Sequence, residues 1–317
     1  MSRILLTAVG SMAAGPAARR YQALGHTVFG CDIYPREWTA LAGELDFFQA
    51  RLATEGEPYV EQLREAVRRD MLDFLIPLTD PEVDALAPRK AEFRALGCTV
   101  CVPEERVAAL CRRKDKMNRF LAEKQVCRLI PTEIAVPGQP CPFPFPVMVK
   151  PRSGRSSLGQ AVAADEKSYQ TALAGREDCI VQPFLEGDIF CVDVARDAFG
   201  HTRAAARQEL LRNKSGLGMT VEVLPGHPLE AVCAAIAEAV GLVGVVNMEF
   251  IRHGDDFFFL EVNPRFSGGV GFSMAAGMDF AEMMLCCHSC GSVEAFPTAP
   301  KHALLARESA IVLTQLR

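Results

Sequence analysis

Residues 245–269 read VVNMEFIRHGDDFFFLEVNPRFSGG. Two apolar runs, 245–251 and 257–263, flank the polar segment RHGDD, which is the pattern of a β-hairpin. With the turn centred near Asp255, Glu249 lies opposite Glu261 and Asn247 opposite Asn263. Alternation along the second strand then puts Glu261 and Asn263 on one side with Phe257 and Phe259. Directly opposed residues have Cβ atoms only about 5 Å apart, and like charges there are destabilising. A cation relieves such repulsion, and Mg²⁺ is usually held by one or two carboxylates together with substrate phosphates. Arg265 follows on the turn leaving the second strand, where a guanidinium can hold a phosphate through two parallel hydrogen bonds. The plain alternative is a solvated hairpin whose outer face carries two glutamates.

Working outward, 317 residues suffice for two or three subdomains and a large core. A net charge of −5 argues against a general nucleic-acid or anionic-membrane surface. No apolar run approaches membrane-spanning length, and MSRILLTAVG enters a strand pattern without a signal-peptide layout. The expectation is a cytoplasmic protein with neither nucleic-acid nor membrane partners. The 12 cysteines then read as reduced thiols. Cys98 and Cys101 form a CxxC, but GCTVCV reads as a strand whose two cysteines point to opposite faces. Cys286, Cys287 and Cys290 lie in an apolar helical segment and read as small core hydrophobes.

Residues 3–35 look like the start of a Rossmann-like unit: a buried strand ILLTAVG, a helix over SMAAGPAARRYQALG, and a second strand ending in Asp32. Gly10 and the helix start at Ser11 offer an anion a place, although no full GxGxxG is present. PYVEQLREAVRR, DFLIPLT, DPEVDALAPRKAEFRALG and CTVCVP continue the alternation of helices and strands, which predicts an open parallel sheet. Ligands sit at the carboxyl ends of such strands, so the loop after Val9 and the Thr79–Glu82 turn are candidate substrate walls.

From Pro103 the chain changes character. EERVAALCRRKDKMNRFLAEK reads as one or two helices, with Lys114 and Lys116 starting the second. The strand VMVK ends in Lys150, a position where a cation needs an anionic partner. PRSGRSSLGQ follows, with the build of a loop whose backbone N–H groups can close over a phosphate. In CIVQPFLEGD, Phe184 and Leu185 suit an aromatic base, the strand backbone suits its edge, and Asp188 is a candidate for a ribose hydroxyl. IFCVDVARD and HTRAAARQELL, which contains Arg207, extend an antiparallel sheet. The helix HPLEAVCAAIAEAVG then delivers the chain into the acidic hairpin.

The order of these parts resembles the ATP-grasp superfamily, in particular ligases similar to the synthetase domains of carbamoyl-phosphate synthase. The resemblance runs to about Ser292, and the E-x-N-P-R run at 261–265 is its most specific motif. It implies an α/β and α+β chain: a Rossmann-like domain over 1–112, then two α+β subdomains over 113–187 and 188–317 that clamp ATP. It also implies roles. Lys116 and Lys150 match the nucleotide-phosphate lysines, and Ser153, Gly154, Ser156, Ser157 and Gly159 the glycine-rich lid. Gln182, Pro183, Phe184 and Leu185 match the hinge that reads adenine, and Glu249, Glu261 and Asn263 the ligands of Mg²⁺, or alternatively Mn²⁺. Arg265 matches the arginine that steadies the transferred phosphoryl group, and with Lys150 and Arg207 completes the candidate catalytic set. Ile189 stands where many relatives carry a ribose-binding Glu, with Asp188 one residue earlier as a substitute.

The implied reaction is ATP-dependent coupling of a carboxylate to an amine through an acylphosphate, releasing ADP and phosphate. The expected partners are small carboxylate and amine substrates, an amino acid or dipeptide among them, and a homodimer is left open. A carbamoyl-phosphate type of reaction with bicarbonate, or a nucleotide-binding regulator without catalysis, are the alternatives.

Overall fold

The computed structural model describes residues 1–154 and 158–315. Its first third is a five-stranded, wholly parallel sheet of β1 (Arg3–Leu6), β2 (Thr27–Asp32), β3 (Asp46–Gln49), β4 (Phe74–Ile76) and β5 (Thr99–Val100), in spatial order 3-2-1-4-5. Parallel strands need helical crossovers, and both faces are covered. Tyr59, Val60, Leu63 and Val67 from the helix Glu57–Asp70 pack on one face, and Ala14, Ala17, Ala18 and Tyr21 from the helix Ala14–Ala23 pack on the other. Cys98 and Cys101 fall in these two separate clusters, as alternation across a strand requires. The expected single helix after Thr79 is two, Asp80–Leu86 and Lys90–Ala95, with a 3₁₀ turn over Ala87–Arg89 where Pro88 lacks an N–H to continue the ladder.

Two helices follow, Glu105–Arg112 and Lys114–Lys124, broken at Arg113, whose φ −113° and ψ 97° are extended. The short β6 (Arg128–Leu129) leads to a four-stranded antiparallel sheet of β7 (Glu133–Ala135), β8 (Val147–Pro151), β9 (Ala161–Ala163) and β10 (Cys179–Pro183), in order 7-10-8-9. The last sheet has seven strands. These are β11 (Asp188–Arg196), β12 (Thr202–Arg212), β13 (Gly218–Leu224), β14 (Gly244–His253), β15 (Asp256–Asn263) and β16 (Ala303–Ala306), with β6 joining at the edge beside β15. The helix Pro228–Val240 covers one face of this sheet, burying Leu229, Cys233, Ile236 and Val240. Among the described residues no helix is long and apolar enough to cross a membrane.

The hairpin β14–β15 has the expected pairs by a different route. Glu249 faces Glu261 and Asn247 faces Asn263, but the turn ends at His253 opposite Asp256, one residue tighter than a turn centred on Asp255. A bulge at Leu260 restores the register, since Phe250 pairs with Phe259 while Glu249 pairs with Glu261. The extra residue also reverses the alternation. Phe259 therefore packs against Phe250 in the core, ring centroids 5.8 Å apart, and does not share a face with Glu261 and Asn263 as simple alternation predicts.

Candidate active site

Glu249 and Glu261 stand side by side at the inner end of a cleft between the first and last sheets, with side chains 20% and 21% exposed. The Asn263 amide nitrogen donates to Oε1 of both, at 3.3 Å each, and its Oδ1 accepts from Arg265 Nη2 at 3.4 Å. Burial, reinforced by Glu261, pushes the Glu249 carboxyl up to about 7. At Glu261 burial is outweighed by Lys114, whose Nζ lies 2.8 Å from Oε2, and its carboxyl is held below the usual range. Two opposed carboxylates and an amide form a hard oxygen donor set that fits Mg²⁺ or Mn²⁺. A half-turn of the Asn263 amide would bring Oδ1 toward the carboxylates. Among the described residues no group of three or more His, Cys, Asp and Glu side chains forms a metal cluster.

The second-helix lysine that lies beside Glu261 is Lys114 rather than Lys116. Lys114 is 8% exposed at the first helical position and touches Glu261, while Lys116 is exposed. Two residues along an α-helix turn a side chain by about 200°, so the pair cannot share a face. Lys150 is 8% exposed and makes no ion pair among the described residues; burial lowers its pKa to about 8, against the pull of Glu261. Ser153, Gly154 and Gly159 belong to the expected lid. Arg176 Nη2 holds the carbonyl of Gly159 at 2.7 Å, and Ser156 and Ser157 lie outside the described residues. Along the hinge, Gln182 is buried, with Nε2 2.7 Å from Thr132 Oγ1, and the Phe184 N–H donates to Pro146 O at 3.0 Å. Pro183, Phe184 and Leu185 are half-buried.

Asp188 lies away from Glu249. It is exposed, paired with Arg252, and three residues from Cys191, which faces Glu249. An odd spacing places Asp188 on the opposite face of the sheet, and Ile189 on the same face as Glu249. Arg207, in the candidate catalytic set, lines the cleft but is enclosed by its own partners. It is 1% exposed, and its guanidinium contacts Asp193 at 2.6 Å, Glu209 at 3.2 Å, Ser267 at 3.1 Å and Ser273 at 3.3 Å. Burial would discharge it, but Asp193 holds it protonated. A Cβ on Gly269 would sit 2.6 Å from its Nη2, so this SGG turn needs glycine to pass. Arg207 thus organises the cleft floor.

Arg265 reaches the first domain, donating to Asp80 Oδ1 at 3.0 Å from Nε and to Oδ2 at 3.1 Å from Nη2. The cleft has a volume of about 800 Å³, and its walls include the loop after Val9 and residues Thr79–Glu82. Lys150 and the 182–185 hinge do not line it. Three features escaped the sequence reading. Lys114 reads only as a helix start, Asp80 only as part of the Thr79–Glu82 wall with no link to Arg265, and the cleft residues Tyr34 and Trp38 lie in or beside short 3₁₀ turns with no periodic pattern. The one available signal was the Thr79-x-x-Glu82 capping box, which fixes where Asp80 begins its helix.

A parallel five-stranded domain, an antiparallel four-stranded sheet and a paired-glutamate hairpin define an α/β class with a cleft that ends at two opposed carboxylates. The chain is similar to proteins of the ATP-grasp superfamily. Residues 175–309 match the family described as "ATP-grasp in the biosynthetic pathway with Ter operon". The chain is 27% identical over 275 residues to a formate-dependent phosphoribosylglycinamide formyltransferase of Synechococcus sp. (strain CC9605), covering 77% of this chain and 64% of that one. It therefore spans less than two thirds of that relative's length. Its fold is similar to the biotin carboxylase of Campylobacter jejuni, with TM-score 0.76, 17% identity, and 96% of this chain and 74% of that chain covered. It is also similar to an L-amino acid ligase from Bacillus licheniformis, with TM-score 0.70, 14% identity, and coverage of 90% and 73%.

Proposed function

We propose that the chain is an ATP- and Mg²⁺-dependent carboxylate–amine ligase that activates its acid as an acylphosphate. The observation that carries this reading is Glu249 opposed to Glu261, with Asn263 between them, Lys114 on one side and Arg265 on the other. Lys114 and Lys150 hold the nucleotide phosphates, in place of the Lys116–Lys150 pair that the motif alone suggested. Glu249, Glu261 and Asn263 hold the metal, which when bound neutralises charge on the phosphates. Arg265, held by Asp80, steadies the group in transfer. Ser153, Gly154 and Gly159 belong to the loop that covers the phosphates and excludes water from the acylphosphate. Gln182 to Leu185 take the adenine.

The acid is the part of the substrate this reading fixes least. The name of the formyltransferase relative pairs formate with a formyl acceptor, and the name of the B. licheniformis neighbour specifies amino acids. Both are consistent with an acid activated ahead of attack, and an amino acid or dipeptide is the finer proposal. The test is hydroxylamine trapping. With ATP, Mg²⁺ and a panel of carboxylic acids, the protein should form a hydroxamate and release one ADP for each. ADP release without any hydroxamate would contradict an acylphosphate.

A further inference from the structure

The cleft beside the carboxylates continues into the first domain, where its far wall changes chemistry. Met12, Ile33, Tyr34, Trp38 and Leu52 line it and remain 40–68% exposed. The Tyr34 and Trp38 rings stack, with centroids 6.1 Å apart and planes at 29°. Large apolar side chains left in water within one cleft mark a surface that a ligand covers.

The same wall offers an anion no partner. Among its described lining residues, the first domain contributes no Lys, Arg or His. The loops after β1 and β4 are where an open α/β sheet presents backbone N–H groups to a phosphate. Here those groups are taken. The Gly10 N–H donates to Asp32 Oδ2 at 2.8 Å, the Val9 N–H to Cys31 O and the Ser11 N–H to Ala8 O. After β4, Glu82 Oε2 accepts the N–H groups of Leu78 and Thr79 at 3.3 and 3.0 Å. The anion site that Gly10 and Ser11 suggested is therefore filled by the chain's own Asp32. Of the arginines across the cleft, Arg207 is matched by Asp193 and Arg212 lies 3.8 Å from Glu249, which leaves Arg265, tied to Asp80, for the reacting end of the acid.

We infer that the acid seated in this cleft has an uncharged aromatic body packed against Tyr34 and Trp38, and carries no phosphate. Its carboxylate points toward Arg265, and its body lies along the first-domain wall. This rests on the ligase reading; because the same wall offers an anion no partner, a phosphoribosyl acceptor such as the one the relative's name specifies is not expected in this cleft either. An aromatic face stacks on Tyr and Trp with offset or edge geometry, whereas a phosphate ester here meets Asp32 and occupied donors.

Trp38 is the single tryptophan of the chain, so its emission reports on this wall alone. The full chain, saturated with Mg²⁺–ADP, is titrated with L-phenylalanine, phenylacetate and benzoate, and separately with ribose 5-phosphate and phosphoribosylglycinamide. At least one aromatic acid should shift the emission to the blue with saturation, and neither phosphorylated probe should do so. In ADP release, Trp38→Ala should raise KM for that acid about tenfold and leave KM for ATP within about twofold. A saturable response to either phosphorylated probe, or none to every aromatic acid, overturns the inference. A thermal shift by Mg²⁺–ATP in the same protein separates the outcomes. If that shift is present without an aromatic response, the inference fails alone; if it is absent, the ligase reading fails as well.

Discussion

Arg265 and Asp80 form a two-pronged ion pair between the last sheet and the first domain, at 3.0 and 3.1 Å, with Asp80 1% exposed. Arg112 approaches the same carboxylate at 3.6 Å. Residues 185 apart in sequence thereby fix the guanidinium proposed to steady the transferred group. Removing one partner leaves a buried charge unmatched.

Asp80→Ala should therefore destabilise the fold by about 3 kcal/mol. At a temperature where it is folded, it should lower kcat more than it raises KM for ATP. Asp80→Asn keeps one acceptor and should recover part of both losses. Urea unfolding and steady-state ADP release check this, and an unchanged kcat in Asp80→Ala would remove Asp80 from the positioning role.

Lys114→Ala should weaken Mg²⁺–ATP binding by about 2 kcal/mol, roughly thirtyfold in Kd. Lys116→Ala, on the exposed side of the same helix, should bind as the parent does. Calorimetry with a non-hydrolysable ATP analogue compares the two, and the reverse order would restore the assignment to Lys116.

These two residues illustrate what could be read in the sequence and what could not. Alternating strands and helices made the parallel domain legible, and two apolar runs around RHGDD made the hairpin legible. The face a residue takes was less accessible. It depended on the bulge at Leu260, on the helix starting at Lys114 rather than later, and on the odd spacing from Asp188 to Cys191. Each moves a side chain across its element without changing the local composition. The pairing of Asp80 with Arg265 and the Tyr34–Trp38 wall depend on tertiary packing, for which the local pattern holds no signal.

Glu249 makes the apo protein and the metal respond oppositely to pH. Its folded pKa, about 7, stands above the ordinary 4.5, so the folded state binds this proton more tightly than the unfolded chain between those values. Its contribution to apo stability therefore falls as pH rises through that window. Metal competes with the proton, so the stabilisation by Mg²⁺ with ATP should grow from about pH 6 to about pH 8 and then level off. Glu249→Gln should flatten both trends in thermal unfolding. A parent whose Mg²⁺ response is constant over that range would mean that Glu249 does not titrate against the metal.

Gly269→Ala should displace the Arg207 guanidinium, because the added Cβ falls 2.6 Å from Nη2. The loss should be about 2 kcal/mol or more in stability, with Asp193 and Glu209 left poorly matched. Chemical denaturation measures it, and a neutral result would show that the turn moves aside.

The central claim is that Glu249 and Glu261 share one divalent cation with the nucleotide phosphates. It is tested most directly by melting curves of the parent and Glu261→Gln, both with saturating ATP, over increasing Mg²⁺. The parent should gain stability steeply with Mg²⁺. Glu261→Gln, which also leaves the buried Lys114 without its partner, should start from a lower apo stability than the parent and gain little from Mg²⁺. Equal Mg²⁺ responses in the two proteins would contradict a shared metal and the mechanism built on it.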